Sequence, residues 1–397
     1  MIFAVEYCNP KNFDLGISSE TPNENGMKSL LFNSGLMLLT ILICAKLQAQ
    51  KYSNEFLNIG VGARGQAMGG AVVSSVNDAT AAYWNPAALA NMEKTQGINL
   101  GLMHTDWFAG ISNYDYIGVA VPMQNNKRAV GFSLIRFGID KIPNTLSLYN
   151  SDGSINYDNI REFSAADYAA LGSYAQQKRW GDGLLCIGGN AKIIRRKIGT
   201  FANSWGFGLD AGLQYQKGRF RAGIVVKDLT NTFNSWRFSF TEKEKNILQL
   251  NNNVIPISGI ENTAPSIVVG AGLRSKISKK VDLSGELNAR ITTDGKRNTI
   301  LSGKTFSLSP SAGMELGYDN LIFIRAGVSN FQKDNTFSQL PFWTMQSSIG
   351  IGLRIRTINL DYSYANVGSA EARFYSHTIS LHLNIKPKAK ASEELTR

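Results

Sequence analysis

The sequence predicts an all-β protein: a transmembrane barrel of about fourteen antiparallel strands, with an N-terminal plug containing short helices. Three observations carry this. From about residue 96 onward the chain alternates apolar and polar residues in segments that are mostly 9–14 long, enough to cross an apolar layer when tilted. The connections between these segments are alternately short and long, as in outer-membrane barrels. A glycine- and alanine-rich block, Gly60–Ala90, precedes the strands and carries too little apolar bulk to form a core of its own.

Five regions follow in order. Residues 1–26 read as an extension ahead of a better start at Met27. Residues 27–49 read as a signal peptide: Lys28, an apolar run from Leu30 to Ala45, then Leu47-Gln48-Ala49 before Gln50. Cys44 would suit lipidation, but Ile41-Leu42-Ile43 lacks the small residues such processing needs. Residues 50–95 form the plug, 96–385 the barrel and 386–397 a charged periplasmic tail. With Cys8 and Cys44 in the leader, Cys186 has no disulfide partner, so the barrel must hold by strand closure alone.

In the plug, Gly62, Gly69 and Gly70 let backbone approach backbone. Asp78 is placed to cap a short helix over Ala79–Trp84, and Pro86 ends that helix at Asn85. Arg64 and Asp78 are expected to meet charges or carbonyls of the inner wall, for example Glu286, Asp361 or Arg354.

The strand segments are 96–103, 114–122, 128–137, 168–178, 183–195, 204–216, 219–228, 265–276, 280–291, 305–318, 321–330, 344–355, 357–365 and 375–385. The clearest is Thr344–Ile355, where Met345, Ile349, Ile351, Leu353 and Ile355 share one face and Gln346, Ser348, Gly350, Gly352 and Arg354 the other. Short connections follow the even segments, such as Lys217-Gly218 and Asp319-Asn320. Long ones follow the odd segments, notably Gly138–Asp167, Leu229–Ala264 and Phe331–Trp343. An even strand count places both termini on the periplasmic side. Every backbone group in a bilayer must be bonded within the protein, so the sheet closes and its polar faces turn inward. So wide a lumen needs a filler, and the plug supplies it. Pro310 interrupts a strand and cannot donate to the ladder, which marks a kink or an edge.

The net charge is +11, but the basic residues form no long runs, which argues against nucleic-acid binding. Gly60-Val-Gly62-Ala-Arg-Gly65 matches a dinucleotide fingerprint without the strand before it that the fingerprint requires. His104, His377 and His382 are too scattered for a metal, and no GxSxG is present. Neither an enzyme nor a cofactor is expected. Tyr114, Tyr116, Tyr215, Tyr318, Tyr362, Tyr364 and Tyr375 are expected in interfacial girdles. Trp107, Trp236, Phe342 and Trp343 fall in predicted outer loops and are candidate anchors for a protein partner.

The block GARGQAMGGA, followed by SVNDATAAYWNPAALA and then by barrel strands, resembles the PorV/PorQ family of outer-membrane proteins, over about Lys51 to Ile385. That family is similar in turn to FadL-like barrels. The resemblance implies an outer-membrane location and a role in type IX protein secretion, with the translocon or secreted cargo as partner and outer-membrane lipid around the wall. A FadL-like barrel implies an alternative: transport of hydrophobic small molecules past the plug to a lateral opening. A continuous apolar tunnel would favour transport, and a polar, filled lumen would favour the secretion role.

Overall fold

Fourteen strands pair in sequence around a closed ring. The computed structural model describes residues 52–92, 97–123, 127–150, 152–250, 255, 258–334, 342–368 and 374–385. The expected leader and tail lie outside them. The first half of the wall is β1 (Ile98–Trp107), β2 (Ser112–Pro122), β3 (Arg128–Asn144), β4 (Arg161–Trp180), β5 (Gly183–Ile198), β6 (Ala202–Lys217) and β7 (Phe220–Lys227). An excursion holds β8 (Thr232–Phe238), helix Glu242–Leu250 and β9 (Ser258–Thr263). The second half is β10 (Ser266–Lys276), β11 (Val281–Thr292), β13 (Ser307–Tyr318), β14 (Ile322–Asp334), β15 (Phe342–Ile355), β16 (Ile358–Asn366) and β17 (Tyr375–Ile385), with the two-residue β12 (Leu301–Ser302) lying on β13. β7 pairs with β10, and β1 pairs with both β2 and β17, which closes the ring.

Each of the fourteen expected segments becomes one wall strand. The alternation on β15 holds: Met345, Ile349, Ile351 and Ile355 are exposed on the outer face and Ser348 is buried on the inner one. The outer face carries a broad apolar surface that includes Phe132, Leu134, Ile193, Phe207, Leu287 and Ile324. Aqueous burial cannot account for so much exposed apolar area, whereas a bilayer can.

Several expectations change. The long connections are shorter than expected, because β3 and β4 pair out to Asn144↔Arg161. Continued hydrogen bonding satisfies backbone groups that a loop would leave to water. The same lengthening corrects the loop assignments of the candidate anchors. Trp107 ends β1, Trp236 lies within β8, and Phe342 and Trp343 open β15. Tyr114 and Tyr116 leave the interfacial girdle, because their parity on β2 points inward and both are fully buried. Nor is the lumen wall uniformly polar. On β2–β5 the inward residues Tyr116, Ile135, Leu171 and Ile194 join one apolar cluster with Met68, Trp84 and Leu89 of the plug.

β6 pairs with two strands in succession: with β8 over Ala202–Phe207 and with β7 over Ala211–Lys217. The chain steps between them at residues 228–231, where Asp228 and Asn231 adopt φ of 58° and 57°. A buried node fixes the step. Lys192 Nζ donates to Asp210 at 2.7 Å and to Asp228 at 2.6 Å, and Thr232 Oγ1 donates to Asp228 at 2.5 Å.

Candidate functional site

The plug residues divide the lumen into two cavities. Helix α1 spans Ala63–Ala67 and helix α2 spans Ala81–Trp84. α2 starts two residues later than expected, because Asp78 acts outside it. The Asp78 carboxylate accepts from Thr80 N at 2.8 Å and from the Thr80 hydroxyl, forming a turn that leads into the helix. Burial alone would raise the Asp78 carboxyl, but His382, the Thr80 hydroxyl and Arg64 outweigh it and hold the group below its usual value. Pro86 ends α2 at Asn85, as expected, and then opens a 3₁₀ turn, Pro86–Asn91, that the sequence reading did not anticipate.

Asn85 is the pin of this segment. It is 0% exposed. Its Nδ2 donates to Val73 O at 2.9 Å and to Leu213 O of β6 at 3.0 Å, and its Oδ1 accepts from Ala87 N at 3.2 Å. The wall admits this approach through Gly188, where a Cβ would lie 2.6 Å from Ala87 N. On the opposite wall Gly69, at φ +61°, packs so that a Cβ would lie 2.9 Å from Val328 N. Gly62 and Gly70 also take positive φ, at 81° and 76°.

Arg64 meets the wall at Glu315 (2.9 Å) rather than at the expected Glu286 or Asp361. Glu315 in turn accepts from Arg325 at 2.6 Å, and Arg325 donates to Asp361 at 2.6 Å. Glu286 instead accepts from the plug backbone at Ser74 N, 2.7 Å away. Among the described residues Asp78 makes its hydrogen bonds within the plug.

Above the plug, toward the long loops, lies a cavity of about 620 Å³. Its lining mixes aromatic residues, among them Phe56, Trp84, Trp107 and Phe137, with charged and polar ones. Glu55 and Asp167 are paired there with Arg297 and Arg196. Trp236 is held by a hydrogen bond to Glu261 (2.6 Å) and by Arg196 stacked on its ring, so it is tied between the excursion and β5. Trp343 is 54% exposed on the outer face and Phe342 is 37% exposed.

One side of this cavity meets a seam. β13 and β14 pair from Tyr318↔Ile322 up to Ala312↔Val328, and no register pair joins them beyond that point among the described residues. Pro310 sits on the length of β13 that has no β14 partner, while its other edge still pairs with β11 at Ala289 and its end pairs with β12. β14 departs through a bulge between Ser329 and Gln332, with Asn330 at φ 49°. Above the seam Asn298 bridges the gap: it donates to Lys333 O at 2.9 Å and accepts from Lys333 N at 3.0 Å. The result is a window in the strand ladder, a gap in pairing bounded by Pro310 and Ser311 on one side and Ser329 and Asn330 on the other, and all four residues line the cavity. Pro310 was the sequence signal for it. Asn298 and Asn330 gave none, because nothing in their spacing marks a bracket or a bulge.

No protein-family model matches the chain, and no curated protein matches it. The fold is similar to that of solved barrels. The CymD monoaromatic hydrocarbon channel aligns over 83% of this chain and 99% of its own, at 16% identity and a TM-score of 0.52. The Pseudomonas putida toluene transporter TodX aligns over 81% of this chain and 96% of its own, at 14% identity and a TM-score of 0.50. These likenesses show the fold alone: a closed fourteen-stranded antiparallel barrel with short N-terminal helices. They lend no support to the type IX secretion role that the PorV/PorQ resemblance implied.

Proposed function

We propose that this chain is a non-enzymatic outer-membrane barrel that passes small hydrophobic molecules from the cavity at its long-loop end, through the seam between β13 and β14, into the surrounding membrane. The observation that carries this reading is that the pairing gap borders the cavity, with Pro310, Ser311, Ser329 and Asn330 lining both. The plug blocks the straight path below. A sideways exit needs no passage through the charged half of the lumen, so a polar lower lumen and transport of apolar solutes are compatible. Transfer into hydrocarbon supplies the driving force, at roughly 25 cal/mol per Å² of apolar surface removed from water. The hydrocarbon channel and toluene transporter that share the fold support the reading at the level of architecture. In this orientation the short turns, together with the strand ends at Ile98 and Ile385, face the periplasm.

The test is uptake of radiolabelled toluene by cells that express the barrel, compared with cells carrying Ser311→Trp together with Ser329→Trp, which fills the window. Uptake is expected to fall at least tenfold while heat-modifiable migration of the folded barrel is kept. Equal uptake in the filled variant, or wild-type uptake no faster than in cells lacking the protein, would overturn the proposal. Co-purification of a secretion translocon with the wild-type barrel would move the assignment to the secretion role.

A further inference from the structure

The lumen holds a second cavity, of about 360 Å³, at the end where the strands are joined by short turns. The transport reading makes no use of it. Its roof is the lower face of the plug, including Arg64, Asn77 and Asp78, so it does not share the upper cavity's lining. Six arginine and lysine side chains line it against four carboxylates.

The pairing sharpens that imbalance. Glu315 lies between Arg64 and Arg325, and Asp361 takes the other side of Arg325. Asp78 is turned onto Thr80. That leaves Asp282, which lies 3.6 Å from Arg274, a loose contact. Arg221 and Lys276 have no carboxylate at ion-pair distance among the described residues.

Register brings these cations together. β7 and β10 pair Arg221 opposite Gly272, and Arg274 and Lys276 follow Gly272 on the same inward parity of β10. Among the charges that act on Arg221 are those of Arg64 and Arg274, opposed by Glu286 and Glu315, which are already engaged by Ser74 N and by Arg64 and Arg325. Cations gathered on two adjacent strands repel one another unless an anion lies between them. Guanidinium groups offer paired N–H donors that match phosphate oxygens two at a time. A carboxylate would neutralise one of the three cations, whereas a phosphate dianion answers two and accepts from the third. The cavity is within the size range of small-molecule sites.

We infer that this cavity is a binding site for a phosphate group, either free inorganic phosphate or the phosphate of a monoester, held by Arg221 and Arg274 with Lys276 at its rim. The site is independent of the transport reading, because the plug separates the two cavities.

Isothermal titration of the purified full chain in detergent tests it. Inorganic phosphate, glycerol 3-phosphate and acetate are titrated separately at matched ionic strength. Saturable binding of inorganic phosphate with no heat from acetate is expected. Affinity should fall at least tenfold in Arg221→Gln and in Arg274→Gln, and Arg221→Lys should lose less. Tighter binding of glycerol 3-phosphate would assign the site to a monoester, and weaker binding to the free ion. Lys276→Gln, at the exposed end of β10, covers the case in which an arginine variant fails to fold, and should also weaken binding. Equal heats from phosphate and acetate would overturn the inference. So would phosphate binding unchanged in folded Arg221→Gln and Arg274→Gln.

Discussion

Replacing Asn85 with alanine should undock the plug without unfolding the barrel. The side chain is fully buried and makes three hydrogen bonds, two donated to Val73 O and Leu213 O and one accepted from Ala87 N. At about 1 kcal/mol for each bond lost, the variant should lose about 3 kcal/mol of docking free energy. Every 1.4 kcal/mol is about tenfold, so the undocked population should rise about a hundredfold. The wall should survive, since its fourteen strands pair with one another independently of Asn85. Two assays read this out. Limited proteolysis of the purified chain should cut within Gly60–Ala90 far faster in the variant, and cells carrying it should admit more of a large antibiotic. Heat-modifiable migration should be unchanged. Asn85→Asp should be worse than Asn85→Ala, because it places a charge where two donors stood. Equal protease protection in wild type and Asn85→Ala would refute the view that this residue pins the plug.

Two further outcomes are expected. Glu315→Gln removes the carboxylate shared by Arg64 and Arg325, and stripping one partner from a buried ion pair costs about 3–5 kcal/mol. The midpoint of urea unfolding, followed by gel mobility, should drop, and an unchanged midpoint would mean that water already screens the cluster. Asp78 is held below its usual carboxyl value, so the stability it contributes is complete above the unfolded value of 3.8 and drains as pH falls toward the folded one. Protease protection of the plug should be flat from pH 7 to 5 and fall below about pH 4, with a shallower fall in Asp78→Asn. Identical profiles would remove Asp78 from the latch.

Much of the wall was legible because a bilayer-spanning strand has to obey a simple rule. The alternation of Met345, Ile349 and Ile351 against Gln346, Ser348 and Gly350 reports two different solvents on two faces. Short turns such as Lys217-Gly218 punctuate it. The rule weakens where the second solvent is protein. Tyr114 and Ile194 face inward onto the plug, so apolar residues occupy positions where water would demand polar ones. It weakens again where strands outrun the membrane: Trp236 and Trp343 lie in regular strand structure within stretches that composition assigned to loops. Of the candidate site, Pro310 was visible as a missing donor. The window also needs the bulge at Asn330 and the side-chain bridge from Asn298, and both depend on which strands become neighbours. Likewise Lys192, Asp210 and Asp228 lie far apart in sequence and form a node only once β5, β6 and the step after β7 are adjacent.

The ring closes between the chain's own first and last strands, with Ile98 opposite Ile385. Seen as a sequence of events, this makes the barrel a vessel sealed around its contents. The plug is synthesised ahead of the wall, whereas the hydroxyl of Ser380, which accepts from Ala63 N at 2.7 Å, comes at the very end. Among the described residues the most distant contacts are therefore formed together, at closure, and the entropy of that one long loop is lost in a single step. Quality control has a simple reporter in this arrangement. A chain stopped short of β17 has an open sheet edge and a plug without its last partner, so a truncated product exposes both faults to the cell's proteases at once.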